Sequence, residues 1–272
     1  MKKKRSVWIA LLLGLLSSSV AFIYVGEPLL AALVPACELI AVAASRWTRL
    51  VFMPWGMTII MVGSIVVSLV VFLMPALIAF RRRELVLTRL QSLPVYVLVL
   101  ILITSGAYFL KEHRAQRFGF QPFRIPSKSM ANTLKSGDFI VADTWAYRTS
   151  FPQRGDVVVY VAPDRDVKFV KRVIGVPGDS IAIKDGVVFV NGQPQQEMYI
   201  EPTFNVSTRK QSVELTVPPN MYFVMGDNRD ASYDSRYQGS VPAANMIGRA
   251  EVIWLSWEPT IGIRWDRIGK RL

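Results

Sequence analysis

The chain has 272 residues, of which 51% are hydrophobic, and a formal net charge of +12. No run of lysine and arginine is interleaved with aromatic residues, which argues against a nucleic-acid site. The basic clusters lie instead beside apolar segments, where anionic lipid headgroups account for them. The single cysteine, Cys37, excludes an internal disulfide bond and a cysteine-based metal site.

Residues 1–110 are predicted to form a membrane anchor with about three transmembrane helices. A helix needs ~20 apolar residues to cross the hydrocarbon core, and stretches of about that length lie at residues 6–25, 57–80 and 93–110. The first stretch also looks like a secretory signal, but the two later spans favour an uncleaved anchor. Residues 28–44 contain Pro35 and Glu38, so we interpret them as an extracytoplasmic helix or a re-entrant segment.

The distribution of basic residues predicts the orientation of the anchor. Lys2–Arg5 and Arg81–Arg89 are the strongest basic clusters, and both are expected on the cytoplasmic side. An odd number of spans then places residues 111–272 outside the cytoplasm. The cluster at Lys111–Arg117 counts against this arrangement, and a fourth span through residues 28–44 would reverse it.

Residues 111–272 are predicted to form a mainly antiparallel all-β extracytoplasmic domain, a folded sheet or partly closed barrel. The segments GDFIVAD, GDVVVYV and GDSIAI each begin with Gly-Asp and continue into β-branched or aromatic residues. The segment KDGVVFVNGQ brackets a strand with the Asp-Gly and Asn-Gly pairs of tight hairpins. The Gly-Asp aspartates are expected to shape turns and not to be catalytic; they are Asp138, Asp156 and Asp179.

Few kinds of catalytic chemistry fit this composition. The only histidine, His113, lies in the basic flank of the third apolar stretch, so a Ser-His-Asp triad is excluded. No group of residues has metal-ligand spacing, and no phosphate-binding loop is present. A hydrolase would therefore need another base, and a Ser-Lys pair is one known solution.

Three segments offer residues for such a pair. FRIPSKSM (123–130) carries two serines, and FVKRVIGVPGD (169–179) places Lys171 among apolar residues that would lower its pKa from ~10.4. MGDNRDASYDSRYQG (225–239) offers Ser232 and several ion pairs. Spacing alone also fits a polar loop, a surface lysine on an edge strand and a charged surface loop.

Four segments in the same order resemble the bacterial type I signal peptidases (leader peptidases), the membrane-bound serine proteases that remove signal peptides from exported preproteins. The segments are PSKSMANTL, RGDVVVY, KFVKRVIGVPGD and MGDNRDASYDSR, within about residues 118–257. The resemblance implies that Ser129 is the nucleophile and Lys171 the general base. It implies an oxyanion-hole hydroxyl from Ser127 and a lysine-orienting hydroxyl from Ser232. The supporting residues that it implies are Asp227, Arg229, Asp234 and Arg236.

The resemblance also implies shallow pockets for small substrate side chains, no cofactor, and contact with the secretion machinery and with the lipid bilayer of a bacterial inner (plasma) membrane. Two positions depart from the family pattern: Lys128 stands where glycine is usual and Asn132 where proline is usual. The stretch between Lys184 and Met225 is shorter than in many Gram-negative members. Two alternatives stay open, a catalytically impaired membrane-anchored β module of the same family and a self-cleaving Ser-Lys protein.

Overall fold

The computed structural model describes residues 2–82, 84–86, 89–206 and 212–272. The chain divides into a helical unit, within residues 1–51 and 57–118, and a β unit, within residues 52–56 and 119–272. The boundary was predicted at residue 111, but the third long helix continues to Phe118. The basic residues after Leu110 therefore extend this helix and do not begin the β unit.

Long apolar runs form the helices of the helical unit, which are α1 (Val7–Leu16), α2 (Ser18–Tyr24), α3 (Pro28–Trp47), α4 (Gly56–Arg81) and α5 (Leu93–Phe118). Among the described residues, three helical stretches are long and apolar enough to cross a membrane: Pro28–Trp47, Gly56–Arg81 and Leu93–Leu110. The predicted spans at 57–80 and 93–110 lie within α4 and α5.

The predicted helix over residues 6–25 is wrong as a single element. Ser17 has extended backbone angles (φ −167°, ψ 128°) and separates α1, of 10 residues, from α2, of 7 residues. Ser17 begins a run of three serines, whose hydroxyl groups compete for backbone hydrogen bonds and weaken a helix. Neither piece approaches the ~20 residues of a membrane span.

Residues 28–44, predicted as a helix or re-entrant segment that does not cross, belong to α3, which has the length and hydropathy of a span. Pro28 lies in the first turn of α3, where a missing N–H is tolerated. Pro35 lies inside the helix without ending it.

Three polar segments contact one another at one end of the helical unit: the N-terminus, the α2–α3 turn and the α4–α5 connection. Strand β1 (Lys2–Lys4) pairs antiparallel with β2 (Glu84–Val86). The Arg82 guanidinium forms an ion pair with Glu27, between α2 and α3. The Gln91 side chain donates to the Ile23 carbonyl over 3.2 Å. The N-terminus, the α2–α3 turn and the α4–α5 connection therefore lie on the same side of this unit.

The β unit consists of antiparallel strands, as predicted. The strands of the main sheet are β3 (Phe120–Arg124), β4 (Asp138–Asp143), β5 (Val157–Val161), β6 (Lys168–Gly175), β11 (Met221–Met225), β12 (Val241–Pro242), β13 (Met246–Glu258) and β14 (Gly262–Ile263). Their order is β12-β11-β6-β5-β13-β4-β3, and β14 pairs with β13. A smaller sheet has the order β10-β7-β8-β9, with β7 (Ser180–Lys184), β8 (Val187–Val190), β9 (Gln193–Pro194) and β10 (Val213–Thr216). A one-turn helix, α6 (Ser235–Gln238), follows β11.

The three Gly-Asp pairs form the same turn, as their composition predicts. In each, the aspartate carboxylate accepts a hydrogen bond from the backbone N–H three residues earlier, at 2.8 Å for Asp138, 3.0 Å for Asp156 and 2.8 Å for Asp179. The preceding glycines have φ of 88°, 92° and 89°, a backbone conformation that residues other than glycine rarely adopt. These aspartates therefore shape the entries to β4, β5 and β7.

The core of the β unit packs against the segment that carries Ser129. Met130 and Leu134 are fully buried in one apolar cluster with residues of β4, β5 and β13. The side chains of Arg264 and Arg267 converge on the buried Asp138 carboxylate in the same region. These contacts anchor the part of the β3–β4 segment that follows Ser129.

Candidate active site

Strand β6 places a lysine amine against the serine that follows β3. The Lys171 Nζ atom donates to the Ser129 Oγ atom over 2.6 Å, and both side chains are buried. β6 lies inside the main sheet, between β5 and β11, so its backbone position is fixed on both edges. The two residues named by the family resemblance, 42 positions apart in sequence, are therefore in direct contact.

Burial changes the acid–base properties of the lysine. Removal of the amine from water lowers the pKa of Lys171 from 10.5 to about 8, because the charged form loses its hydration. The Asp234 and Asp227 carboxylates oppose this shift, and the Arg236 guanidinium adds to it. The Phe169 ring lies 5.3 Å from Nζ and forms part of the apolar surroundings. Lys171 can therefore be neutral at a pH at which an exposed lysine is charged.

The backbone of Ser129 is held by the loop that follows β11. The Asn228 N–H donates to the Ser129 carbonyl over 3.1 Å. Gly226 lies so close that a Cβ atom there would be 2.4 Å from the Ser129 carbonyl oxygen and 2.3 Å from the Ser232 hydroxyl oxygen. Only glycine fits at residue 226, which explains the glycine in the segment MGDNRDASYDSR.

Ser127 lies beside Ser129. Its Oγ atom is 3.2 Å from the Ser129 Oγ atom, whereas the Lys128 side chain between them is exposed. Asn132 has φ of 84°, which proline, with φ fixed near about −65°, cannot adopt. Neither departure from the family pattern separates the two serine side chains. A proline at position 132 could not adopt the backbone conformation that Asn132 has here.

Ser232 contacts a carboxylate in this structure and not the lysine. Its hydroxyl donates to the Asp234 Oδ2 atom over 2.6 Å, and the resemblance had implied a bond to Lys171. The buried Asp234 carboxylate is also bound by the Arg236 Nε atom at 2.8 Å and the Gly226 N–H at 2.9 Å. A fixed, charged acceptor is stronger than a neutral amine, so the hydroxyl turns towards Asp234.

The four supporting charges of the segment 225–239 form three ion pairs, and one of these pairs lies within the segment. Asp234 and Arg236 pair with each other, as the resemblance implies. Asp227 instead accepts two hydrogen bonds, of 2.9 and 2.7 Å, from Arg172 of β6, and Arg229 pairs with Glu197. Sequence reasoning therefore missed the structural roles of Arg172 and Glu197. A buried strand that carries Arg172 next to Lys171 does signal that a carboxylate partner is needed.

The Ser129 and Lys171 side chains open into an apolar cleft of about 380 Å³. Its walls come from the segment after β3, from β6 and from the loop after β11, and they include Phe123, Ile125, Met130, Val159, Val167, Phe169, Val170, Ala231 and Tyr233. Within the described part of the chain, no group of three or more histidine, cysteine, aspartate or glutamate side chains could hold a metal ion.

Comparison with known proteins gives a consistent set of relatives. The family model described as "Signal peptidase, peptidase S26" matches residues 94–257. A signal peptidase I of Leptolyngbya laminosa is 39% identical over 138 residues, which are 47% of this chain and 65% of that protein. The probable signal peptidase I-1 of Synechocystis sp. is 35% identical over 170 residues, 59% of this chain and 79% of that protein.

A signal peptidase I of Pseudomonas aeruginosa is 35% identical over 188 residues, covering 52% of this chain and 66% of that protein. A crystal structure of a signal peptidase I from Enterococcus faecalis matches with 33% identity and a TM-score of 0.32, over 37% of this chain and 97% of that one. The family model covers more than half of the 272 residues. The chain belongs to the signal peptidase family, peptidase S26.

Proposed function

We propose that the protein is a membrane-bound serine endopeptidase that removes N-terminal signal peptides from exported preproteins with a Ser129–Lys171 dyad. The observation that carries this proposal is the 2.6 Å contact between a buried lysine amine and a buried serine hydroxyl at an apolar cleft. The only histidine, His113, lies in α5 of the helical unit. No comparison favours the impaired module or the self-cleaving protein.

In the first step, the neutral Lys171 amine accepts the hydroxyl proton of Ser129 while Oγ attacks the carbonyl carbon of the scissile bond. The resulting ammonium then gives its proton to the leaving nitrogen as the C–N bond breaks, which leaves an acyl-enzyme ester on Ser129. A lysine that remained protonated could not start this step. The lowered pKa of Lys171 therefore serves the first proton transfer.

The tetrahedral intermediate carries an oxyanion that needs hydrogen-bond donors. The Ser129 backbone N–H and the Ser127 hydroxyl, whose oxygen lies 3.2 Å from the Ser129 Oγ atom, are the proposed donors. Each such donor typically contributes ~3–4 kcal/mol to the stability of the transition state. In the second step Lys171 takes a proton from a water molecule, whose oxygen attacks the ester carbon. The bond between this carbon and Ser129 Oγ then breaks, Oγ takes the proton back from Lys171, and the product acid leaves and ionises in water.

The cleft fits the class of substrate that the family implies. Its walls are formed mainly by branched aliphatic and aromatic side chains around a space of about 380 Å³. Such a surface favours apolar substrate side chains near the scissile bond, because the charged groups that line it are the basic residues Arg124, Lys168 and Lys171.

The geometry of the helical unit supports a membrane topology with the β unit on the extracytoplasmic side. The N-terminus, the α2–α3 turn and the α4–α5 connection lie at one end, and this end carries the basic clusters that favour the cytoplasm. Three crossings by α3, α4 and α5 then leave Gly119 outside. The number of crossings equals the predicted one, but α3 takes the place of residues 6–25.

The dyad predicts that Ser129→Ala and Lys171→Ala each abolish cleavage of a purified preprotein and leave the β unit folded. Lys171→Arg should be inactive as well, because a guanidinium does not lose its proton in proteins. The matched control is Lys135→Ala, an exposed lysine close in sequence, which should keep wild-type activity. Cleavage by either alanine variant at more than about one hundredth of the wild-type rate would contradict the dyad.

The pH dependence should follow the deprotonation of Lys171. Because the neutral amine is the active form and its pKa is about 8, kcat/KM should rise through about pH 8 and level off above it. At pH 7 roughly a tenth of the molecules would be neutral at this site, roughly 300-fold more than with a pKa of 10.5. Peptide cleavage from about pH 6 to about pH 10 measures the profile. A rate that rises only above pH 10, or not at all, would contradict this role.

The topology predicts opposite accessibility for two engineered cysteines in a Cys37→Ala background. Phe151→Cys, at a position 80% exposed in the β unit, should react with a membrane-impermeant thiol reagent added to intact spheroplasts. Arg82→Cys, in the α4–α5 connection on the proposed cytoplasmic side, should react only after lysis. The reverse pattern would show that the β unit lies in the cytoplasm.

A further inference from the structure

Two residues outside the catalytic segments contact all three of them. Glu197 and Tyr199 lie in the connection between β9 and β10, which the proposed mechanism does not use. We call Glu197 and Tyr199 the clasp residues. Their neighbours are Asn132 of the nucleophile segment, Arg172 beside the lysine, and Arg229 of the loop after β11.

The first contact fixes the nucleophile segment. The Asn132 side-chain amide donates to the Tyr199 backbone carbonyl over 2.9 Å. Asn132 lies three residues after Ser129 and has φ of 84°, in a region that asparagine tolerates better than most residues. This hydrogen bond therefore holds a turn that the usual proline of the family could not form.

The second contact covers the residue next to the base. The Arg172 guanidinium lies over the Tyr199 ring, 4.1 Å from its centroid. The same guanidinium binds both oxygens of Asp227. Tyr199 therefore covers the ion pair that joins β6, next to Lys171, to the loop after β11.

The third contact neutralises a buried charge in the loop after β11. The Arg229 side chain is fully buried and pairs with Glu197, which also accepts a hydrogen bond of 2.7 Å from the Tyr199 hydroxyl. Among the described residues, the Nε and Nη1 atoms of Arg229 have no hydrogen-bond partner. The Glu197 carboxylate is therefore the group that balances the charge of Arg229. The Arg229 carbonyl in turn accepts from Arg236 over 2.6 Å, the partner of Asp234.

We propose that Glu197 and Tyr199 are positioning residues that hold the three catalytic segments together and keep water away from the Lys171 amine. They do not touch the reacting atoms. The effect on kinetics rests on the proposed peptidase function, whereas the effect on the mobility of the three segments does not. Loss of the clasp admits water, which stabilises the charged amine and moves the pKa of Lys171 back towards its ordinary value.

The test uses Tyr199→Ala, which removes the ring over Arg172 and the hydroxyl bound to Glu197, and Glu197→Gln, which removes the charge paired with Arg229. The matched control is Met198→Ala, whose side chain lies between them in sequence and is 92% exposed. Amide hydrogen exchange of the full-length protein in detergent micelles should become about tenfold faster in residues 129–133, 171–173 and 226–236 of both clasp variants. The control should match the wild type. Faster exchange confined to residues 193–205 would overturn the proposal.

Kinetics provide the second measurement. Both clasp variants should lower kcat by about tenfold with KM nearly unchanged, and the midpoint of the kcat/KM profile should rise by roughly half a pH unit or more. Tyr147→Ala, which removes another tyrosine ring and its hydrogen bond to Asp156, controls for general destabilisation. A pH midpoint equal to that of Tyr147→Ala and the wild type would also overturn the proposal. A wild-type protein that cleaves no preprotein would refute the proposed function. The hydrogen-exchange data would still test whether Glu197 and Tyr199 hold the three segments together.

Discussion

The buried contact between the Lys171 amine and the Ser129 hydroxyl is the interaction on which the rest of this site depends. A pKa lowered from 10.5 to about 8 corresponds to a free-energy penalty of roughly 3 kcal/mol for the charged amine in the folded state. The folded protein binds fewer protons here than the unfolded chain between about pH 8 and pH 10.5, so this group's contribution to stability becomes more favourable as pH rises through that range. At neutral pH the site destabilises the fold, and other contacts must offset it.

The surrounding charges are arranged so that they do not restore the charge of the lysine. Asp227 and Asp234 each favour a protonated amine, but each is bound by a guanidinium, from Arg172 and Arg236. A carboxylate neutralised by a close arginine has a weaker effect on a third group than a free one. The ion pairs of the loop after β11 thus fix its geometry and leave desolvation as the main influence on Lys171.

Much of the architecture could be predicted because it depends on local patterns. The Gly-Asp turns, the Asp-Gly and Asn-Gly hairpins and the apolar helices follow from residue type and spacing. The nucleophile and the base came from a resemblance carried by whole motifs, and the structure brings Ser129 and Lys171 into contact. The break at Ser17 was missed, because a single extended residue inside an apolar run leaves mean hydropathy almost unchanged.

The partners of the buried charges could not be predicted, because they depend on which strands adjoin in three dimensions. Asp227 and Arg229 lie two residues apart, yet they pair with Arg172 and Glu197 from other parts of the chain. The Ser232 hydroxyl binds Asp234, although the resemblance assigned it to the lysine. Sequence identifies which side chains need a partner, and the fold decides which partner is within reach.

The central claim is that burial makes Lys171 a neutral base for Ser129, and direct titration of this amine tests it most sharply. The full-length protein, labelled with carbon-13 at the lysine ε carbons, would be titrated by NMR in detergent micelles, with the Lys171 signal assigned by its loss in Lys171→Met. The account predicts a midpoint of about 8 for this signal. A midpoint near the ordinary lysine value of ~10.4 would contradict it.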